Sequence, residues 1–274
     1  MSRIVKIFSE NDKFQYIEVL KRNRQKRHKY KVFFVEGVKA INNVLENNWD
    51  ISAFVYTREQ KLSHWAENII NNSQADTHYE LPASLMNKIS DKEESSELIA
   101  LVKMKGDKTN QLKFRSTPLI VVLDRPMNPG NIGTIIRSCD SFKVDGMIIT
   151  GHSADLYDPQ TIRASVGTIF TLPVIRMGSH KELINWVNRI KIEWGEIKMV
   201  GSSSKAEKVL TKVDFQKPTI LLLGNETKGL SENFKSICDE LVMIPIYGTA
   251  SSLNLASAAS IFLYEIDKQR SIKK

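Results

Sequence analysis

The stretch "PLIVVLDRPMNPGNIGTIIRSCDSF" (118–142) decides how this chain folds. Leu119 to Leu123 are five consecutive apolar residues, too few for a membrane span and without alternation, which is the pattern of a strand buried on both faces. Pro126, Asn128, Pro129 and Gly130 then break the strand. From Asn131 onward Ile132, Ile135, Ile136, Cys139 and Phe142 recur at helical spacing and form one core stripe. Arg137 lies about 140° from Ile132 at 100° per residue, off that stripe and one turn above Gly133. Helical side chains lean toward the helix N-terminus, so Arg137 is expected to reach back over Gly133 to the loop mouth at Asn131. A solvated arginine beside an N-capping asparagine fits the same residues equally well.

The alternation continues downstream. Strands are expected at "GMIIT", "IKMVG", "TILLLG" and "LVMIPI", with helices over 131–142, 159–169, 180–191, 231–238 and 252–269. Apolar strands alternating with helices predict an α/β fold with a mostly parallel sheet covered on both faces, and such sheets bind ligands beyond their C-terminal strand ends. Upstream, helix and strand signals also alternate: "FQYIEVLKRNRQK", "VKAINNVLENN", "KLSHWAENII" and "PASLMNKIS" read as helices, and "KVFFVEG", "ISAFVYT" and "LIALVKM" as strands. The polar, aperiodic "KGDKTNQLKFRST" (105–117) separates the two patterns. The expected organisation is therefore a small α/β domain at 1–105, a linker at 106–117 and a second α/β domain at 118–274.

Composition narrows the class. The chain of 274 residues is 42% hydrophobic and 26% charged, ordinary for a globular protein. The N-terminus "MSRIVKIFSENDK" lacks the apolar core of a secretory signal, and two cysteines, Cys139 and Cys238, suit a reducing compartment as free thiols; a cytosolic location is expected. The five histidines are scattered without ligand spacing, so no metal site is expected. Of the net charge of +8, residues 1–31 contribute +7 (ten Lys and Arg against three acids), and "KRNRQKRHKYK" (21–31) holds seven basic residues with no acid. Such a stretch suits RNA phosphates, with Lys21, Arg22, Arg24, Lys26 and Arg27 as candidate contacts; a solvated helix face has the same composition.

Two further loops follow strands. "LLLGNETKGLSENF" (221–234) spaces Gly224 and Gly229 like a phosphate loop but carries Leu230 where the lysine belongs, and 128–133 lacks the G-x-G-x-x-G pattern, so nucleotide hydrolysis and hydride transfer lose their signatures. What remains there is Glu226, an acid in a glycine-bounded loop. "IPIYGTASSLNLASAASIFLYE" (244–265) leaves the sheet at Pro245, and Ser252 and Asn254 bracket the start of a helix rich in small residues.

Read in order, "NPGNIGTIIRSCDSF", "LLLGNETKGLS" and "IPIYGTASSLNLASAASIFLYE" resemble the three motifs of the SpoU (TrmH-like) RNA ribose 2′-O-methyltransferases of the SPOUT superfamily, over residues 118–270. "YDPQTIRASVGTIFTLPV" (157–174) looks like the inter-motif segment of ribosomal RNA members, including the thiostrepton-resistance type. "YKVFFVEGVKAINNVLENN" is similar to the start of their RNA-binding domain. The resemblance implies S-adenosylmethionine as methyl donor, a C-terminal trefoil knot and a homodimer. It also implies cofactor contacts at Leu223, Gly224, Ile244 and Leu253, and catalytic or substrate-placing roles for Asn131, Arg137, Glu226, Ser252 and Asn254. Arg163 is a candidate RNA contact, or a helix arginine paired with Asp158. The folded first domain favours large-subunit ribosomal RNA as substrate. Transfer RNA methylation, a non-catalytic RNA-binding protein and a self-protecting antibiotic-resistance enzyme are the alternatives. A sulfonium donor needs neither metal nor covalent intermediate, and alignment supplies much of the rate. In such enzymes the arginine is proposed as general base; a guanidinium normally keeps its proton, so fixing phosphate and stabilising negative charge is the other role open to Arg137.

Overall fold

The computed structural model describes residues 3–91 and 95–271. The chain divides into two units, Met1–Gly106 with Asp155–Phe170, and Asp107–Ala154 with Thr171–Lys274. The first runs β1 (Arg3–Lys6), α1 (Asp12–Arg22), α2 (Arg24–Tyr30), β2 (Val32–Glu36), α3 (Val38–Glu46), β3 (Ile51–Tyr56), α4 (His64–Asn71), β4 (Thr77–Glu80), α5 (Ala83–Ile89) and β5 (Leu98–Lys103). Its sheet has the order β1-β4-β3-β5-β2, with β1, β4 and β3 parallel and β5 antiparallel to both β3 and β2. Ile17, Leu20, Phe34, Val55, Leu85 and Leu101 meet in one core on one face.

The basic run does not form one helix. Asn23 is extended (φ −124°, ψ 110°), ends α1 and caps α2 by accepting the Lys26 N–H. An asparagine side chain competes for backbone donors in this way, and the break resets the helical phase. Arg27 consequently points inward and is 1% exposed. Its guanidinium meets Asp155 at 2.7 Å and Asp158 at 3.1 Å, and donates to the carbonyls of Leu20 and Lys21. His28 Nε2 lies 3.3 Å from the same Asp155. Arg27 is thus a buried structural group and is withdrawn from the expected RNA contacts; its carboxylates come from 128 and 131 residues away in sequence, beyond any local reading. Lys21 is likewise turned in, pairing with Asp91 at 2.7 Å and donating to the Ser90 carbonyl. Arg22 pairs with Glu18 while staying exposed, Arg24 is exposed and Lys26 half-buried.

The second unit contributes β6 (Leu119–Asp124), α6 (Pro129–Ser141) and β7 (Gly146–Thr150); α7 (Pro159–Ser165) belongs to the first; then follow β8 (Val174–Met177), α8 (His180–Trp194), β9 (Lys198–Ser202), β10 (Lys208–Val209), β11 (Thr219–Leu223), α9 (Glu232–Lys235), β12 (Glu240–Met243) and α10 (Leu255–Ser271). The seven strands are all parallel in the order β10-β12-β9-β11-β6-β7-β8. The chain builds outward from β6 through β7 and β8, then returns to lay β11 on β6's other side. The crevice where the order reverses therefore lies beyond the C-terminal ends of β6 and β11. Every residue of β6, β7 and β11 is buried, which explains their unalternating apolar sequences.

The stretch read as a linker is held within this unit. Leu112 sits in the core, so close to Gly146 that a Cβ there would come 2.2 Å from its Cδ2; Arg115 grips Asp145 and Asp107 pairs with Arg176 at 2.7 Å. At the end of α10, Arg270 donates to the carbonyls of Phe215, Thr117 and Lys217, and burial, followed by nearby Arg115, pulls its pKa below the usual arginine value. Both cysteines are free, and burial pushes their thiols up, Cys238 to about 12. Among the described residues no helix is long and apolar enough to cross a membrane.

Segment 155–170 completes the first unit. Tyr157 and Phe170 pack on Phe33 at ring-centroid distances of 4.5 and 6.2 Å, and Trp49 Nε1 donates to the Phe170 carbonyl. Arg163, on α7, is exposed and pairs at 3.9 Å with Asp91, while Asp158 is engaged by Arg27 and caps α7 at the Gln160 N–H. Removing one partner of a buried ion pair leaves an uncompensated charge, which costs about 3–5 kcal/mol. Asp155→Ala should therefore lower stability by about that amount in denaturant titrations, and Asp158→Ala, at the partly exposed partner, by less. Equal small losses for both would show that Arg27 does not depend on Asp155.

Candidate active site

Three loops meet at the reversal point of the parallel sheet. The first leaves β6 at Asp124, which is 2% exposed, grips Arg125 through two bonds of 2.8 and 2.9 Å and accepts the Ser231 N–H at 2.9 Å. One buried carboxylate thus ties the end of β6 to the residue beyond the second loop. Asn128 then caps α6 by accepting the Asn131 N–H, with Pro129 in the first turn where its missing donor is harmless.

The second loop, 224–230, folds back on the end of β11. Asn225 and Gly229 exchange both backbone hydrogen bonds, Asn225 Oδ1 accepts from Thr227 and Lys228, and its Nδ2 donates to the Arg125 carbonyl at 2.7 Å. A Cβ at Gly224 would fall 2.1 Å from Gly229 C and Leu230 N, so only glycine permits this fold. The loop presents Glu226 to the start of α6: Oε2 accepts the Met127 N–H at 3.0 Å, and Oε1 accepts the Asn128 N–H and Asn131 Nδ2, both at 3.1 Å. Burial alone would raise this carboxyl, but bonds from Met127, Asn131, its own backbone and Asn128 together hold it below the usual carboxylate value.

The third loop follows β12 and ends at Asn254, whose Oδ1 accepts the N–H groups of Ala256 and Ser257 at the start of α10. Its Nδ2 donates to Asn131 Oδ1 at 3.1 Å. Asn131 thereby joins all three loops, donating to Glu226 and accepting from Asn254. Farther along, Ser138 and Ser260 bond at 2.9 Å and hold α6 to α10.

A cleft of about 390 Å³ opens between the second and third loops. Gly224, Glu226, Ile244, Ser252 and Leu253 line it, and Leu223 lies buried at the strand end just before. Arg137 does not line this cleft. It is exposed on α6 and makes no side-chain hydrogen bond or ion pair among the described residues. Asp124, Asn225 and the Ser202–Lys205 turn after β9, which also lines the cleft, were not among the expected site residues. Asp124 carried a legible signal as a charge ending an apolar strand. Ser202–Lys205 carried none, because its neighbourhood depends on strand order. Among the described residues no group of three or more His, Cys, Asp and Glu could hold a metal.

The stabilisation from Glu226 has a definite pH sign. A carboxyl lowered on folding contributes fully above its unfolded value, near 4.5, and loses that contribution as pH falls through the lowered folded value. Glu226→Gln should cost about 1 kcal/mol at neutral pH, allowing for partial exposure, and raise amide exchange at Met127 and Asn128. The difference between parent and variant should vanish in acid; a constant offset down to the lowest pH would show that the charge is not what holds the loop.

The SpoU rRNA Methylase family profile matches residues 118–264, and that of the SpoU L30e-like domain matches residues 11–100. A 23S rRNA (uridine(2479)-2′-O)-methyltransferase of Streptomyces viridochromogenes is 38% identical over 265 residues, covering 97% of this chain and 92% of that protein. The crystal structure of the SpoU methyltransferase AviRb from the same organism, in complex with AdoMet, superposes with a TM-score of 0.90 at 38% identity over 95% of this chain and 98% of that one. A Bacillus subtilis 23S rRNA (guanosine(2553)-2′-O)-methyltransferase is 24% identical over 243 residues, 89% of this chain and 91% of that protein. With both profiles matched in the order in which the two units begin, and a full-length relative at that identity, the chain belongs to the SpoU rRNA methylase family.

Proposed function

We propose that the chain transfers a methyl group from S-adenosylmethionine to a ribose 2′-hydroxyl of large-subunit ribosomal RNA. The observation that carries this reading is the hydrogen-bonded series Glu226–Asn131–Asn254, which joins three strand-end loops beside a cleft. Relatives named as 23S rRNA 2′-O-methyltransferases that align over most of the chain support it. The cleft volume of about 390 Å³ falls within the range of about 300–1,000 Å³ usual for small-molecule sites. Its lining also suits an adenosyl group: Ile244 and Leu253 offer apolar surface.

Bound S-adenosylmethionine supplies a methyl carbon already activated by its sulfonium. The chain's own residues then have to hold the ribose in line and manage charge. Asn131, Ser252 and Asn254 provide neutral hydrogen bonds for ribose and phosphate, and Leu223, Gly224, Ile244 and Leu253 hold the cofactor. Glu226 acts as an organiser, not a base: both of its oxygens already accept hydrogen bonds, and its lowered pKa disfavours proton uptake. Arg137 holds a phosphate and stabilises negative charge on the attacking oxygen, a role that suits an exposed guanidinium without a side-chain partner among the described residues. We further assign the first unit, 1–106 with 155–170, to gathering RNA and the second, 107–154 with 171–274, to transfer, in a cytoplasmic homodimer whose second unit is a trefoil knot. The exposed Ile261 and Tyr264, three residues apart on α10, support a partner subunit against that helix.

Labelled S-adenosylmethionine with ribosomal and transfer RNA tests the reading. Label should appear in alkali-resistant dinucleotides of large-subunit ribosomal RNA; label on a base, or only in transfer RNA, would overturn it. Arg137→Ala should reduce turnover by about 100-fold or more with cofactor affinity unchanged, and undiminished turnover would remove Arg137 from the mechanism.

A further inference from the structure

The basic run at 21–31 is sorted by the fold into two populations. Lys21 and Arg27 face inward onto carboxylates and backbone carbonyls, and Arg22 is matched by Glu18. At the end of α2 the situation differs. Lys29, Tyr30 and Lys31 are consecutive and exposed, and neither lysine has an ion-pair partner among the described residues. Tyr30 is 41% exposed, although a tyrosine has ample apolar surface to bury.

The ring is held in place. Tyr16 on α1 meets it edge-on, with centroids 5.1 Å apart and an interplanar angle of 76°. Burial, then the neighbouring Tyr79 and Tyr30, push the Tyr16 phenol up to about 12, so the supporting ring stays neutral. Lys29 Nζ lies 5.9 Å from the Tyr30 centroid, at the outer limit of a cation–π contact, which a flexible side chain gives up readily. Lys31 closes the helix in the left-handed region (φ 56°, ψ 32°), where glycine or asparagine would sit with less strain. A lysine there puts a second exposed cationic residue next to Tyr30 in the sequence.

An exposed aromatic ring packed against a neighbouring ring, with a lysine on either side of it in the sequence and no ion-pair partner for either lysine among the described residues, is complementary to a π-face flanked by phosphates. In an A-form duplex the base faces are stacked away, so a ring of this kind can meet only an unpaired base. We propose that Tyr30 is a stacking platform for an unpaired nucleobase of the RNA substrate, with Lys29 and Lys31 holding the adjoining phosphates. This rests on the reading that the chain methylates RNA and specifies a surface on which a single-stranded segment is held.

The full-length chain, labelled S-adenosylmethionine and large-subunit ribosomal RNA test it. Tyr30→Ala should raise KM for RNA by about 5- to 100-fold while leaving kcat at saturating RNA and cofactor affinity unchanged. Tyr30→Phe, which keeps the ring and the packing against Tyr16, should remain within about twofold of the parent. A Lys29→Gln, Lys31→Gln double variant should reduce the slope of log affinity against log salt by about 1.4, for two phosphate contacts on a single strand. Tyr30→Trp should show fluorescence quenching on binding. Parental turnover with an unchanged KM in Tyr30→Ala overturns the platform alone, as does a loss in Tyr30→Phe equal to that in Tyr30→Ala, which would assign the contact to the hydroxyl. No parental turnover on RNA overturns the methyltransferase reading and the platform with it. An altered thermal melt in Tyr30→Ala moves the decision to Tyr30→Trp quenching and the lysine salt slope; absence of both effects overturns the proposal.

Discussion

An amide side chain has a donor end and an acceptor end, and Asn131 commits each end to a different loop. Its nitrogen donates to Glu226 and its oxygen accepts from Asn254. Reversing the amide would set Nδ2 against the Asn254 donor and the oxygen against a carboxylate, so the network admits one orientation. Glu226 and Asn254 are fixed in turn by backbone N–H groups, the former by Met127 and Asn128, the latter by Ala256 and Ser257. Asn131 lies 95 residues from Glu226 and 123 from Asn254, and the three loops are thereby held relative to one another with neutral or singly charged groups. Such preorganisation is what a reaction limited by alignment requires.

That network can exist only because the sheet brings the loops together. β6 and β11 pair in register from Leu119 with Thr219 to Leu123 with Leu223, which sets Asp124 beside Gly224. Asp124 then uses its two oxygens to hold Arg125 and Ser231. Gly224 lets the backbone of the second loop return against itself, a contact closed to any Cβ. Strand register, one buried carboxylate and one glycine thus place Glu226 before its own hydrogen bonds are counted. Substituting Gly224 would displace the loop that carries the acid, even though Gly224 itself has no side-chain chemistry.

Sequence legibility followed the range of the interaction. The strands β6, β7 and β11 and the stripe on α6 are written in periodicity, because burial on both faces or along one stripe imposes it locally. The strands β1, β4, β8 and β10 were missed: none exceeds four residues and each carries charged or polar side chains, whereas β12, equally short, is marked by the unbroken apolar run "LVMIPI" (241–246). The helix expected across 14–26 ignored Asn23, whose capping bond to Lys26 outweighs the helical preference of its neighbours. In the candidate site, Glu226, Asn131 and Asn254 stood out as polar residues after strands, but nothing local indicated that they bond to one another. That fact depends on strand order, as does the placement of Ser202–Lys205 in the same cleft.

The two arginines Arg27 and Arg137 show why residue type alone does not assign a role. Arg27 lies in the densest cationic run of the chain, where charge counting favours a phosphate contact, yet it is buried on Asp155 and Asp158. Arg137 lies in a helix of little charge, where nothing in composition singles it out, and it is left exposed without a side-chain partner among the described residues. A buried guanidinium has its donors satisfied and its charge matched, so it has nothing to offer a ligand except at the cost of the fold. An exposed one on the helix that carries Asn131 keeps all five donors for an incoming anion. The discriminating quantity is therefore the set of acceptors already within reach, and among the described residues it separates paired cations from those left without an ion-pair partner, Arg27 from Lys29 and Lys31 as clearly as Arg27 from Arg137.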